Sequence, residues 1–231
     1  MNIVISGATG GVGEAVAKLF ASKGCSIILL GRDIKKLSKL SKGIIKKHKV
    51  EVSFFKCDID NRGELSSSIK KINELNIDID ILINIAGIFP YGPVLNQNER
   101  IFDNCMDVNL KLPYLLSLGL FDSIKKNKGG KIINIGSSSS YSGFKNTVTY
   151  CASKHALLGL SRALNDEWRD HGISVHCISP GTIDTEMANP LSQDSSTYIT
   201  VEEFSQLIYD VTSYNGNMLV DEVRAVRRII R

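Results

Sequence analysis

Ile3-Val4-Ile5-Ser6-Gly7-Ala8-Thr9-Gly10-Gly11-Val12-Gly13 is the stretch on which the fold turns. A short β-branched run gives way to four glycines, and an amphipathic helical pattern takes over from residue 13 to 22. Glycines in that setting have separate uses: a sharp turn, close approach of backbone to a pyrophosphate, and close packing of helix on sheet. The helix start adds free N–H groups and the positive end of its dipole. Alone, the same residues also make a plain strand–helix turn, so the rest of the chain has to decide.

Outward from that turn, short apolar runs alternate with helical periods. Residues 3–6, 27–30, 52–56, 79–84, 131–135 and 174–179 read as strands, and their near-continuous apolar character suits strands covered on both faces. Helices are predicted over 13–22, 34–49, 63–76, 98–126 and 149–169. Strand and helix in repetition predict an α/β fold, a doubly wound, mostly parallel Rossmann-type sheet with helices on both faces. After Pro180, residues 188–198 read as a polar loop, Thr200-Val201-Glu202-Glu203 as a capping box, and 223–229 as a last strand. With no repeat or linker, residues 1–231 are expected to form a single dinucleotide-binding catalytic domain.

Bulk properties narrow the functional classes. The 43% apolar and 23% charged residues are ordinary for a globular chain with a sizeable core. A net charge of +4 is too small to argue for nucleic acid or membrane as partner. Most of the excess sits in Lys35, Lys36, Lys39, Lys42, Lys46, Lys47 and Lys49, which read as one solvated helix face. Cys25, Cys57, Cys105, Cys151 and Cys177 lack any metal or disulfide spacing, and the histidines lack ligand spacing, so no metal site is expected. A strand from the first residues leaves no room for a leader, and no apolar run reaches the ~20 residues of a membrane span. A cytoplasmic protein is expected.

The second strand ends Leu30-Gly31-Arg32-Asp33. A carboxylate at this tip usually receives a ribose 2′-hydroxyl. Gly31 stands there instead, and the Arg32 guanidinium suits a 2′-phosphate. NADP(H) is therefore the expected cofactor, with NAD(H) possible. Asp33 argues the other way unless it caps the following helix.

Tyr150 and Lys154, four residues apart, share one helix face. A phenol with a pKa of ~10 is a poor acid–base at neutral pH. A nearby ammonium would lower that pKa. Ser137-Ser138-Ser139-Ser140 closes the strand at 131–135, and Ser137 lies thirteen positions before the tyrosine, where a hydroxyl could polarise a carbonyl.

In these residues the chain resembles the short-chain dehydrogenase/reductase family, and its single-domain, 3-oxoacyl-ACP-reductase-like branch. The resemblance rests on ordered signals: Ser6-Gly7 to Gly13, Asp58-Ile59, Asn84-Ile85-Ala86-Gly87, Asp107-Val108-Asn109-Leu110, the serine–tyrosine–lysine set, and Ser179-Pro180-Gly181-Thr182-Ile183-Asp184-Thr185. It implies an oxidoreductase that interconverts a carbonyl and an alcohol by hydride transfer. Tyr150 would act as acid or base, Lys154 would lower its pKa and bind the nicotinamide ribose, and Ser137 would orient the carbonyl. Asn109 would hold a water that links Lys154 to solvent. Cofactor contacts would come from Gly7, Ala8, Thr9, Gly10, Gly11, Val12, Gly13, Arg32, Asp58, Ile59, Asn84, Ala86, Gly87, Tyr150, Lys154, Pro180, Gly181, Ile183 and Thr185. Ile85 departs from the family's second asparagine, and residues 217–223 depart from its usual aspartate–glycine–glycine ending. A homodimer or homotetramer is implied through the helices at 98–126 and 149–169.

The glycine spacing leaves an alternative. Gly7, Gly11 and Gly13 fit the single-domain reductases, whereas Gly7, Gly10 and Gly13 fit epimerases or dehydratases that hold NAD. Those enzymes carry a further substrate domain for which this chain has no residues spare. A non-catalytic cofactor-binding protein would be marked by loss of the tyrosine or lysine, and both are present. The substrate is expected to be a small-molecule carbonyl or alcohol, and the polar composition of 188–198 points to a small polar one. Tyr91 reads as a solvent-facing loop residue with a chance of touching substrate.

Overall fold

The apolar strands assemble into one seven-stranded sheet in which every pairing is parallel. The computed structural model describes residues 1–126, 129–191, 194–214 and 218–227, the side chain of Arg62 excepted. In chain order the elements are β1 (Asn2–Ser6), α1 (Gly11–Ser22), β2 (Ser26–Gly31), α2 (Ile34–His48), β3 (Val52–Lys56), α3 (Arg62–Glu74) and β4 (Ile81–Asn84). There follow α4 (Glu99–Met106), α5 (Leu112–Gly119), α6 (Phe121–Lys125), β5 (Lys131–Ile135), α7 (Val148–Trp168), β6 (Ser174–Pro180), α8 (Val201–Ser213) and β7 (Glu222–Ala225).

Strand order is β3-β2-β1-β4-β5-β6-β7. The chain builds outward from β1 to one edge, then crosses back to place β4 on the other side of β1. That reversal opens a crevice past the carboxyl ends of β1 and β4, where ligands of doubly wound sheets bind.

Strand alternation sorts the core into two layers. Ile3, Ile5, Ile27 and Leu29 pack with Val16, Phe20, Leu37, Ile44, Phe204 and Ile208, from α1, α2 and α8. Val4, Ile28, Leu30 and Leu82 pack with Leu65, Ile72, Leu116, Leu164 and Trp168, from α3, α5 and α7. Helices therefore cover both faces, which is why the strands read as unbroken apolar runs.

Three expectations need correction. The helix predicted over 98–126 is broken into α4, α5 and α6. A π turn at Asp107–Lys111 follows α4. Pro113 opens α5, where its missing N–H costs nothing. The loop predicted at 188–198 contains two short 3₁₀ turns, Glu186–Leu191 and Ser195–Thr197. The last strand is shorter than predicted, and residues 228 and 229 of that prediction lie outside the described residues. The capping box at Thr200 forms as read, with Thr200 and Glu203 bonded reciprocally.

Polar side chains fasten the C-terminal segment to the sheet. His176 on β6, 4% exposed, is held through Nδ1 to the Val220 carbonyl at 2.6 Å and through Nε2 to Ser174 Oγ at 2.9 Å. Lys131 Nζ donates to the carbonyls of Thr212 at 2.6 Å and Tyr214 at 2.7 Å. Burial holds the His176 pKa below its ordinary 6.5, and Lys131 pushes the same way. The neutral ring is thus the folded form, and the unfolded chain binds more protons between the folded pKa and 6.5. Stability contributed by His176 is complete above 6.5 and is lost as pH falls below it. Melting temperature is expected to drop between pH 7.5 and 5, and less steeply in His176→Gln. Parallel melting curves for the two proteins across that range would remove His176 from the pH response.

Candidate active site

The turn after β1 is built by contacts that no side chain could survive. Gly7 has φ +70°, and a Cβ on it would lie 2.6 Å from the Ala86 nitrogen. A Cβ on Gly13 would lie 2.2 Å from the Gly7 carbonyl oxygen. Ser6 Oγ accepts from the Ile85 and Ala86 N–H groups at 3.2 and 3.4 Å, tying the turns after β1 and β4 together. Gly10 and Gly11 face outward. A Cβ on Gly11 would press on Thr185 Cγ2 at 3.2 Å, whereas one on Gly10 meets nothing nearer than 3.5 Å. Gly11 is therefore the tighter position, which favours the Gly7-Gly11-Gly13 spacing.

No side chain caps α1, so its first N–H groups, at Gly11, Val12 and Gly13, point out of the turn as an anion cradle. The segment carrying Pro180, Gly181, Ile183 and Thr185 closes over it through that Thr185 contact. Ala8 is fully buried and can offer only backbone. Thr9 Oγ1 stands 3.5 Å from where a Gly31 Cβ would be.

Beyond Gly31, Arg32 is exposed. The Asp33 carboxylate accepts from the Lys35 and Lys36 N–H groups at 2.9 and 3.0 Å. Those backbone bonds hold its pKa below the usual range, so Asp33 is the cap of α2. Asp58 lies at the mouth after β3, its Oδ1 accepting from the Asp60 N–H at 3.2 Å. Ile59 is packed into the core, leaving only its backbone for a ligand.

Asn84, at the end of β4, is turned inward. Its Nδ2 donates to Asn134 Oδ1 at 2.9 Å, Asn134 Nδ2 to Ser161 Oγ at 2.9 Å, and Ser161 Oγ to the Leu157 carbonyl at 2.7 Å. This buried chain bolts β4 and β5 to α7. Ile85 packs against the apolar layer instead of extending the polar loop. Ala86 and Gly87 continue past it, and a Cβ on Gly87 would stand 3.3 Å from Asn109 Oδ1 and 3.8 Å from Lys154 Nζ.

Ser137, Tyr150, Lys154 and Asn109 come together past the end of β5. The Ser137 hydroxyl lies close enough to the Tyr150 phenol to lower its pKa, and Ser137 Oγ accepts from the Ser139 N–H at 3.1 Å. Lys154 is buried beside them, Nζ 5.7 Å from the Tyr150 ring centre and donating to the Ile135 carbonyl at 2.7 Å. Burial pushes Tyr150 up to about 12, against the Ser137 hydroxyl, which lowers it. Burial brings Lys154 down to about 8. Burial, and not the neighbouring lysine, dominates the Tyr150 pKa in the folded chain. Asn109 sits in the π turn with no exposed surface. Its Oδ1 accepts from the Ile88 N–H at 2.8 Å, and its Nδ2 donates to the Ile88 carbonyl at 2.9 Å and Ser153 Oγ at 3.0 Å.

Several site residues were not read from the sequence. Asn134 had a signal, a polar residue inside an apolar strand. Phe89 had none, since only folding sets its ring 4.7 Å from that of Tyr150. Cys105, which accepts from Asn109 Nδ2 at 3.3 Å, also had none.

A glycine cradle at the sheet's switch point, beside a buried tyrosine and lysine and a half-buried serine, defines a dinucleotide-dependent oxidoreductase. Residues 1–196 match the family model described as short chain dehydrogenase, and the chain belongs to that family. It is 37% identical over 185 residues to an uncharacterized oxidoreductase of Thermotoga maritima, covering 80% of this chain and 72% of that one. It is 33% identical over 190 residues to a 3-oxoacyl-acyl-carrier-protein reductase of Rickettsia felis, covering 82% and 76%. A solved metagenomic short-chain oxidoreductase in complex with NADP superposes with a TM-score of 0.86 at 25% identity, over 100% of this chain and 98% of that one. The protein is an NAD(P)(H)-dependent oxidoreductase acting on a carbonyl or alcohol.

Asn134→Ala would strip partners from Asn84 and Ser161 at once. Unsatisfied buried groups cost about 1–3 kcal/mol each, so urea unfolding is expected to show a loss of at least about 2 kcal/mol. A loss below ~0.5 kcal/mol would mean the chain carries no load.

Proposed function

We propose that this protein uses NADP(H) in preference to NAD(H) to reduce a ketone or aldehyde, or to oxidise the matching alcohol. The observation that carries the reading is the convergence of Ser137, Tyr150 and Lys154 beside the open glycine turn. The residues present fit a dinucleotide: Gly10 is exposed with nothing nearer than 3.5 Å to where its Cβ would stand, so the backbone of the turn is open to a ligand, and the α1 N-terminus lacks a side-chain cap. When bound, NADPH supplies the hydride, and the protein supplies position and polarity.

In that reading Tyr150 Oη gives its proton to the carbonyl oxygen, and Ser137 Oγ donates a hydrogen bond to the same atom. Lys154 turns its ammonium to the ribose hydroxyls of the cofactor and restores the phenol's proton. Asn109 faces Lys154 across Gly87, where the missing Cβ keeps room for a bridging water. Arg32, and behind it the lysines of α2, neutralise a 2′-phosphate, while Asp33 is occupied as a cap. Thr185 and the Ile183 backbone would hold the cofactor's phosphate and carboxamide side, Asp58 and the Ile59 backbone the adenine, and Ala86 and Gly87 would border the cofactor between the glycine turn and Lys154.

We further propose that residues 1–231 act as one catalytic domain. Among the described residues no helix is long and apolar enough to cross a membrane. The five cysteines are free and buried, which supports a reducing, cytoplasmic setting. Exposed Phe102, Tyr114, Leu118 and Val148 on α4, α5 and α7 support a homodimer or homotetramer through those helices.

The test is NADPH consumption against a panel of carbonyls, with NADH in parallel. Tyr150→Phe is expected to lower turnover by ~10²–10⁴-fold while NADPH still binds. Near-normal turnover in that variant would remove Tyr150 from its role.

Cofactor choice has its own test. A charge-assisted bond to a 2′-phosphate is worth roughly 1.5–3 kcal/mol, or about ten- to a hundred-fold in affinity. Arg32→Ala is expected to weaken NADPH by that factor and NADH little. A Cβ at Gly31 meets nothing nearer than 3.5 Å, so Gly31→Asp can be built and should turn the preference toward NADH. Fluorescence titration of both cofactors reads the result, and equal weakening of the two in Arg32→Ala overturns the assignment.

A further inference from the structure

The loop between β4 and α4 brings two aromatic rings to the catalytic cluster. Half-buried Phe89 meets the Tyr150 ring edge-on, with centres 4.7 Å apart and planes at 79°. Tyr91 extends the row, its ring centre 5.6 Å from that of Phe89. The sequence left Tyr91 as a solvent-facing loop residue, and it is 41% exposed, yet its loop is stapled down. Asn146 Nδ2 donates to Tyr91 Oη at 3.5 Å, the Gly92 N–H to the Asn146 carbonyl at 2.9 Å, and Gln97 Nε2 to the Gly92 carbonyl at 3.2 Å. Thr149 Oγ1, next to Tyr150, donates to Gln97 Oε1. The two loops thus form one wall fixed to the first turn of α7.

The character of that wall is apolar. Val94, Leu95 and Phe144 stand exposed on the same two loops, and Met187 is exposed two residues past Thr185. Single exposed apolar residues are ordinary, but a group around one site marks a binding surface. Beside the two rings, Gln97 is engaged with Gly92 and Thr149, and the Asn146 amide nitrogen with Tyr91. A polyhydroxylated substrate would find those groups already partnered. A flat ring would gain edge contacts at the 4.5–7 Å centre spacing that aromatic pairs prefer.

We infer that the carbonyl turned over here is attached to an aromatic or other flat apolar body, held by Phe89 and Tyr91 beside Tyr150. This departs from the small polar substrate suggested by residues 188–198, and it rests on the oxidoreductase reading of Tyr150. Phe89 and Tyr91 are specificity residues in it.

The experiment compares aryl ketones (acetophenone and 4-phenyl-2-butanone) with hydroxyacetone and a ketose, using NADPH and the full chain. Each aromatic contact is worth about 0.5–1.5 kcal/mol, so two give roughly five- to a hundred-fold higher kcat/KM for the aryl set, carried by KM. Phe89→Leu keeps bulk but loses the ring edge, and the aryl-to-polar ratio is expected to fall about two- to tenfold. Phe89→Leu combined with Tyr91→Leu should fall further. Ligand-detected NMR of 1-phenylethanol on protein loaded with NADP⁺ reads binding apart from turnover. No aryl preference in the native protein, or a ratio unmoved by Phe89→Leu, overturns the inference. Turnover of ketoses without binding of 1-phenylethanol overturns it while leaving the catalytic reading intact. Binding of 1-phenylethanol, weakened by Phe89→Leu, without turnover of any ketone supports the wall and removes the acid–base role of Tyr150.

Discussion

Everything at the site depends on how closely the turn after β1 passes the turn after β4. Gly7 touches Ala86 backbone at a distance that leaves no volume for a methyl group, and Gly13 touches Gly7 in the same way. Because β1 and β4 are neighbours in register, Ser6 opposite Asn84, this single contact fixes two loops at once. One becomes the anion cradle of α1. The other runs through Gly87 and Ile88, whose backbone then locks Asn109. A side chain at Gly7 would push the loops apart and move both the cofactor turn and the amide that spans the π turn.

Burial sets the protonation states that this frame presents. It opposes charge on both members of the tyrosine–lysine pair, raising the phenol to about 12 and lowering the ammonium to about 8. A buried ammonium costs several kcal/mol before any partner is counted, and the Ile135 carbonyl at 2.7 Å offsets part of that. Lys154 spends one of its three donors on that backbone carbonyl. The result is a tyrosine that keeps its proton at neutral pH, which is the form a general acid must take.

The fold was legible because parallel strands buried on both faces must be apolar along their length, and six such runs stand out from Ile3 to Ile178. The glycines, Tyr150, Lys154 and Ser137 were legible because their chemistry depends on spacing along one turn or one helix. The broken helix was not. Asp107, Val108 and Asn109 are weak helix formers but no helix breakers, and Asn109 in the π turn is held by Ile88 and Ser153 from distant segments and by Cys105 one turn back. Phe89 was missed for the same reason, since nothing local separates a ring in a loop from its neighbours until packing gives it a partner, whereas Asn134 stood out as an amide among isoleucines but not for what it would bond. Asp33 was read correctly as one of two options, and only the bonds to Lys35 and Lys36 decided between them.

The departure from the family's C-terminal ending has a structural answer in β7. Glu222 accepts from Arg162 of α7, through Nε and through Nη2 at 3.0 Å, and from the Tyr141 hydroxyl at 2.9 Å. The Arg162 bonds are the main reason its carboxyl is held below the usual range. Arg224, two residues on, lies 4.4 Å over the Tyr141 ring. Tyr141 ends the short turn whose Ser140 Oγ accepts from the Ser137 N–H at 3.1 Å. The C-terminal strand thus reaches Ser137 through Tyr141 and Ser140, while Arg162 ties the same carboxylate to the helix that carries Tyr150 and Lys154. A bidentate guanidinium–carboxylate pair constrains orientation as well as distance, so one glutamate sets the serine loop and the tyrosine helix in register. The ending lacks the family's glycines, and at this sheet edge Glu222 and Arg224 instead contact Tyr141 and Arg162, one on each side of the site.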